Sequence, residues 1–360
     1  MRHPLMDELD AARRRSIPGG GRRLLCLAVF TLCGAAAESL PALRADAKQV
    51  SVSGLSSGGF MAVQFHVAYS ASVIGAGVVA GGPFYCAQNS SSIAVNNCML
   101  PDADHPLPAV EALVAFTRAA EHAGAVDATA HLKNSRVWLF SGRKDVTVRQ
   151  LVMNALHRYY LSFLPAAQIT YVDTVDAGHA FPTVNFGGEC AYTGTPFIDR
   201  CGIDGAGVLL QQIHGRLDAP GAASNTNLRE FDQREFFEHD DAYSHSMRNT
   251  GFAYIPAACR AGGCRVHVAF HGCMQNVGTV GDSFVRHAGY NNWADTNRFI
   301  ILYPQTISRY GPGFRPWRVS FVLNPKGCWD WWGYDSANYY RKDGPQMQAV
   351  MKMIQRLTGS

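Results

Sequence analysis

The chain has 360 residues, of which 47% are hydrophobic and 17% charged, with a formal net charge of +4. That length holds one large α/β domain or two smaller ones, with a sizeable core. The charge is mild and much of it sits in Arg13-Arg14-Arg15 and Arg22-Arg23, which excludes a nucleic-acid-binding surface.

Residues 24–37 form an apolar stretch behind those arginines, too short for a comfortable membrane span. A basic flank, a short apolar run and Ala35-Ala36-Ala37 read as a secretory signal over residues 1–37, with cleavage as late as Ala45 as the alternative. Residues 46–360 are then one domain, with no stable membrane insertion once the signal is removed.

Residues 50–53 (Val-Ser-Val-Ser) alternate and read as a strand. Gly54-Leu55-Ser56-Ser57-Gly58 follows, then the apolar start of a helix from Gly59. Strand, G-x-S-x-G and helix is the pattern of a nucleophile elbow, whose tight turn needs flanking positions almost free of side chain. Residues 72–80 have no polar face and read as a buried strand. Residues 83–108 read as irregular. Helical periodicity covers 109–123 and 150–163, and strands are expected at 136–141 and 168–174. This alternation predicts an α/β fold, a mostly parallel sheet with helices on both faces. From 185 to about 250 the pattern loosens around a short helix at 206–214. Strands at 252–255, 265–270 and 299–303, helices at 282–297 and 346–357, and an aromatic-crowded stretch at 307–340 complete the chain.

Ten cysteines fit export to an oxidising compartment. Cys26 and Cys33 fall in the signal, and eight remain. Short spacings pair Cys86 with Cys98, Cys190 with Cys201 and Cys259 with Cys264; elimination leaves Cys273 with Cys328. There is no C-x-x-C pair and no His-Cys set at ligand spacing, so no metal site is expected.

A serine hydroxyl needs a base within reach, and the base needs an orienting acid. Beyond strand 136–141 comes Ser141-Gly142-Arg143-Lys144-Asp145. Beyond strand 168–174 comes Asp176-Ala177-Gly178-His179. Ser56, Asp145 and His179 follow the chain order of an α/β-hydrolase triad. Asp173 and Asp176 are rival acids, set aside because they sit beside the histidine itself. His131, His214 and His245 read as surface residues. One oxyanion donor is expected at the N–H of Ser57. The second is expected at Cys273, in Phe270-His271-Gly272-Cys273, near the C-terminus rather than ahead of the elbow. That order fits a circular permutation, with old ends joined near 185–250 and new ends cut between the last helix and the elbow strand.

These stretches, with Tyr303-Pro304-Gln305 and Cys328-Trp329-Asp330-Trp331-Trp332, resemble the polyhydroxyalkanoate depolymerase family, specifically the poly(3-hydroxybutyrate) depolymerases with a permuted catalytic domain. The resemblance runs from about residue 50 to 357. It implies a single-domain, circularly permuted α/β-hydrolase fold and an extracellular or periplasmic serine esterase that cleaves 3-hydroxyalkanoate esters. It also implies Ser56, Asp145 and His179 as triad, Ser57 and Cys273 as oxyanion hole, and a polyester polymer or oligomer as partner. A monomer without metal or organic cofactor is expected. Many members carry a further polymer-binding domain, whereas this chain ends soon after Leu357; amorphous polymer or soluble oligomers are therefore the expected substrates. Flat aromatic rings suit a polyester, and Trp331 or Trp332 is expected to line the cleft; the alternative is that both pack around Cys328. Two other functions remain open: a secreted feruloyl or acetylxylan esterase on the same fold, and a non-catalytic polymer-binding protein.

Overall fold

The structure, a computed structural model, describes residues 37–237, 241–315 and 318–360. The expected export signal lies, up to Ala36, outside the described residues, as does Trp317. Strand β1 (Val50–Leu55) runs into α1 (Ser57–Ala68), and β2 (Val73–Val79) follows. Helices α2 (Ser91–Asn96) and α3 (Val110–His122) lead to β3 (Arg136–Phe140), α4 (Gln150–Leu161) and β4 (Ile169–Val172). Short strands β5 (Phe181–Thr183), β6 (Gly188–Glu189) and β7 (Ile198–Arg200) precede α5 (Gly205–His214), β8 (Leu228–Asp232), β9 (Thr250–Tyr254) and β10 (Arg265–Phe270). Then come α6 (Val277–Val280), α7 (Ser283–His287), α8 (Tyr290–Asn297), β11 (Phe299–Tyr303), the pair β12 (Arg309–Arg315) and β13 (Arg318–Asn324), and α9 (Pro345–Thr358).

Eight strands form one sheet in the order β4-β3-β2-β1-β10-β11-β9-β8. From β4 to β11 every neighbouring pair is parallel; β9 and β8 add an antiparallel end. The strands are apolar on both faces because both faces are covered. In β3, Val137 and Leu139 join the core beneath α1, α3, α4 and α9, while Trp138 and Phe140 join the core around α5, α7 and α8. In β11, Ile300 and Leu302 face one way and Phe299, Ile301 and Tyr303 the other. Each such side chain contributes about 1.5–3 kcal/mol by leaving water. Helix α1 has no polar stripe because every one of its residues is buried.

The sheet order also accounts for the motif order. β10 follows β1 late in the chain, yet pairs with it directly, Val50 opposite Val266 through Gly54 opposite Phe270. The end of α9 meets the segment ahead of β1, where Leu43 and Ala45 both donate their N–H to the Leu357 carbonyl, at 3.1 and 3.0 Å. The fold is thus a circularly permuted α/β-hydrolase, with the end of the last helix meeting the segment just ahead of the elbow strand.

Some expectations need correction. The helix expected over 282–297 is two, α7 and α8, because Gly289 between them has φ +96°, outside helical backbone. The stretch read as irregular contains α2, capped by Ser90, whose hydroxyl accepts from the Ile93 N–H at 3.2 Å. The loose region holds β6, β7 and β8, and the aromatic stretch opens with the β12–β13 pair. All four cysteine pairs are disulfides: Cys86–Cys98, Cys190–Cys201, Cys259–Cys264 and Cys273–Cys328.

Candidate active site

Ser56 stands between β1 and α1 with φ 57° and ψ −123°. A non-glycine residue held there costs about 1–3 kcal/mol, and the neighbours enforce it. A Cβ on Gly54 would lie 2.2 Å from the Gly58 carbonyl oxygen, and one on Gly58 would lie 2.2 Å from the Phe270 oxygen. The Ser56 N–H donates to the Val79 carbonyl at 2.9 Å, which fixes the turn against β2. The side chain therefore leaves the sheet at its C-terminal edge and lines a cavity of about 300 Å³.

Asp145 and His179 reach the same edge from the loops after β3 and β4. His179 Nδ1–H donates to Asp145 Oδ2 at 2.7 Å, and both side chains are almost completely buried. The other carboxylate oxygen accepts from the Thr147 and Val148 N–H groups, at 2.8 and 2.9 Å. Val148 also lines the cavity that holds Ser56. With Nδ1 carrying the bonded proton, Nε2 of His179 is the free basic nitrogen. Ser56 Oγ makes no hydrogen bond to His179 among the described residues. Asp176 is elsewhere: it is exposed and paired with Arg143 at 2.7 Å.

A three-stranded sheet, β5-β7-β6, holds the His179 loop from behind. Gly178 donates to the Cys190 carbonyl at 2.7 Å, and the His179 N–H to Thr193 Oγ1 at 2.9 Å. Within that sheet Asp199 is 1% exposed, and neither carboxylate oxygen makes a side-chain hydrogen bond. Burial pushes its carboxyl up to about 7, partly offset by the Gly188 amide beside it. A raised carboxyl means that the folded chain holds the proton that the unfolded chain has lost. Stability then falls as pH rises from about 4 to about 7, and the whole cost persists above that. Asp199→Asn is expected to stabilise the protein by about 1–2 kcal/mol at pH 8, screening allowed for, and to do little at pH 4. Urea unfolding at the two pH values checks this; equal effects at both would contradict it.

Ser57 and Cys273 line the same cavity, and neither N–H has an acceptor among the described residues. Gly272 is held through both of its peptide groups, its carbonyl in the Gly272–Cys273 peptide and its N–H in the one before. His271 Nδ1–H donates to the Gly272 carbonyl at 2.8 Å, and Gln275 Oε1 accepts from the Gly272 N–H at 2.7 Å. Because the carbonyl and N–H of a trans peptide point in opposite directions, holding the Gly272 carbonyl aims the Cys273 N–H away from His271. Burial lowers His271 to about 4, so the ring is neutral, and its Nε2 accepts from the Thr306 N–H at 3.2 Å. Gln275 continues to the carbonyls of Pro196 and Phe197, and Phe197 meets the His179 ring edge-on at 6.4 Å. Its role was invisible in the sequence, since nothing local marks a glutamine that braces two loops.

Two histidines read as surface residues are not. His245 is 4% exposed, bonded to Asp335 at 2.9 Å and stacked on Phe237. His214 ends α5 against the sheet, where its Nε2 meets Ser51 Oγ at 2.9 Å and burial lowers it to about 3. Both owe their burial to long-range contacts, which carry no local signal. His131 is exposed, as expected. Among the described residues no cluster of His, Cys, Asp and Glu could hold a metal ion.

No family model matches the chain. It is 37% identical over 329 residues to a polyhydroxybutyrate depolymerase of Talaromyces funiculosus, covering 89% of this chain and 93% of that one. The chain belongs to the poly(3-hydroxybutyrate) depolymerase family. A poly(3-hydroxybutyrate) depolymerase of Delftia acidovorans is 47% identical over 341 residues, 92% of this chain; the chain spans 65% of that relative's length. A solved PHB depolymerase, a serine-to-alanine variant complexed with an R3HB trimer, superposes with a TM-score of 0.80 at 36% identity, covering 89% of this chain and 99% of that one.

Opposite the elbow, this depolymerase-family chain builds an aromatic wall. Trp331 stacks on Phe60 with centroids 3.8 Å apart and planes 10° off parallel. Trp332 meets Trp331 edge-on at 5.4 Å, and both line the cavity. The loop that carries them is wound around Asp330, whose carboxylate accepts from the N–H groups of Gly333, Tyr334, Asp335 and Ser336. The Cys273–Cys328 disulfide ties this loop to the turn that carries Cys273. Trp331 is therefore both wall and core, whereas Trp332 is the more exposed of the two.

Proposed function

We propose that the chain is a secreted or periplasmic serine esterase that hydrolyses poly(3-hydroxybutyrate) or its oligomers through an acyl-enzyme on Ser56. The observation that carries this reading is the hydroxyl of Ser56, held on a strained elbow beside two acceptor-free N–H groups. The buried Asp145–His179 pair supplies the base. His179 Nε2 takes the Ser56 proton as the hydroxyl attacks the ester carbonyl. The oxyanion rests on the N–H groups of Ser57 and Cys273, each worth on the order of 3 kcal/mol in the barrier. His179 returns the proton to the departing alkoxide, and that piece leaves with a new hydroxyl end. Water, deprotonated by the same nitrogen, then cleaves the acyl-enzyme.

Export is supported by four disulfides, which persist in oxidising compartments. No helix among the described residues is long and apolar enough to cross a membrane. Residues 1–37 are proposed as the signal. Names of the relatives, and the trimer bound in the solved PHB depolymerase, support 3-hydroxybutyrate esters as the substrate class.

Clearing of amorphous polyhydroxybutyrate, with release of 3-hydroxybutyrate monomer or dimer, tests the reading beside a feruloyl ester. Turnover of the feruloyl ester alone would overturn it. Trp332→Ala is expected to raise KM for the 3-hydroxybutyrate trimer about 10-fold, with kcat within twofold, because a stacking surface of about 1–1.5 kcal/mol is lost from binding. Unchanged steady-state kinetics on the trimer would remove Trp332 from the substrate site.

A further inference from the structure

The wall of the cavity is almost entirely apolar or neutral. Among the described residues lining it, Lys326 is the one that carries a charge. Its backbone is held next to the second oxyanion donor. The Lys326 carbonyl accepts from the Met274 N–H at 2.7 Å, one residue beyond Cys273. The turn is fixed on its other side by Asn324, whose side chain accepts from the Cys328 N–H at 2.8 Å and donates to the Cys328 carbonyl at 3.0 Å. Gly327, with φ +58°, lets the turn close, since a Cβ there would lie 2.5 Å from Asn276 Nδ2. The Cys273–Cys328 disulfide locks both strands of this arrangement together. A rigid backbone thus holds one exposed lysine, on a flexible stem, in the lining of the site. Among the described residues that ammonium has no hydrogen bond or ion pair.

The chemistry of the substrate says what such a cation could recognise. The interior of a polyester is uncharged and offers only weak ester carbonyl acceptors. A 3-hydroxyalkanoate oligomer carries one full charge, the carboxylate at its acid end. In any scissile ester of such an oligomer, that end lies on the alcohol side, the portion that departs when Ser56 is acylated. We propose that Lys326 is a specificity-determining residue that captures the terminal carboxylate of hydroxyalkanoate oligomers and so favours cleavage near free-acid chain ends. This rests on the esterase reading above and extends it from substrate class to chain end. The pairing holds the departing portion in register while the ester carbonyl sits on the Ser57 and Cys273 N–H groups. It is made equally in the bound substrate and during its reaction, so it acts on KM rather than on kcat. At a solvent-facing rim it is also sensitive to salt.

The test compares the 3-hydroxybutyrate trimer as the free acid with its methyl ester, at low salt and at 1 M NaCl. In wild type, the free acid is expected to have the lower KM at low salt. Lys326→Met is expected to raise KM for the free acid about 5-fold, and to change KM for the methyl ester less than twofold. High salt is expected to erase the difference in wild type, and Lys326→Arg to keep most of it. Equal changes on both trimers would make Lys326 a packing residue and overturn the proposal, as would no change on either. A wild-type protein that hydrolyses the methyl ester but shows no free-acid preference sinks this proposal alone. One that hydrolyses neither trimer sinks the esterase reading with it.

Discussion

Ser56→Ala is expected to lower kcat for 3-hydroxybutyrate ester hydrolysis by about 10⁴- to 10⁶-fold, while the protein stays folded. The loss is large because, in the proposed mechanism, the hydroxyl oxygen becomes acylated; what remains would come from binding and from the Ser57 and Cys273 N–H groups. Folding is expected to survive because Ser56 Oγ makes no hydrogen bond among the described residues, so its removal leaves no buried partner there stranded. Ser56→Gly sharpens the point. Glycine tolerates φ 57° without the steric cost that serine bears, so this variant is expected to be as inactive as the alanine form and no less stable. Thermal unfolding beside initial rates would separate the two effects. An alanine variant with wild-type turnover would remove Ser56 from the chemistry.

Asp145→Asn is expected to lower kcat by about 10⁴-fold with little change in KM. The carboxylate does two things that an amide cannot. It accepts the Nδ1 proton of His179, which fixes the tautomer, and it stabilises the imidazolium that forms as Ser56 loses its proton. An asparagine can present its NH₂ to the ring instead, leaving Nε2 protonated and unable to act as a base. The carboxylate is already ordered by the Thr147 and Val148 N–H groups, so the substitution tests charge and tautomer more than position. Asp176→Ala is the control, because Asp176 is exposed and paired with Arg143 at the surface. Its activity is expected to stay within twofold of wild type. A loss as complete as that of Asp145→Asn would transfer the orienting role to Asp176.

The elbow was legible because its physics is local. A β-branched strand, two glycines that no side chain could replace, and an apolar helix stand within a few residues of one another. The pairing of Asp145 with His179 was legible by position, each just past an apolar strand of a parallel sheet. The place of β10 beside β1 could be argued only by asking where a second oxyanion donor must come from. What escaped the sequence depends on distant contacts. His271 and Gln275 matter because of where two successive peptide planes sit; His214 is covered by the distant strands β1 and β11, and His245 by Asp335 and Phe237. Gly289 broke a helix that its flanking periodicity supported, since a lone glycine in such a pattern is usually tolerated. Strand β8 is an edge with exposed polar residues, and β12 contains Gly311, Pro312 and Gly313, so neither carries an ordinary strand signature.

The central claim is that Ser56 Oγ is the atom acylated by the ester. Incubating the protein with a fluorophosphonate, then mapping the adduct by peptide mass spectrometry while following trimer hydrolysis, tests it most directly. The account predicts one adduct, on the peptide containing Ser56, appearing in step with the loss of activity and absent from Ser56→Ala. An adduct on another residue that tracks inactivation, or full hydrolysis by a protein modified at Ser56, would contradict it.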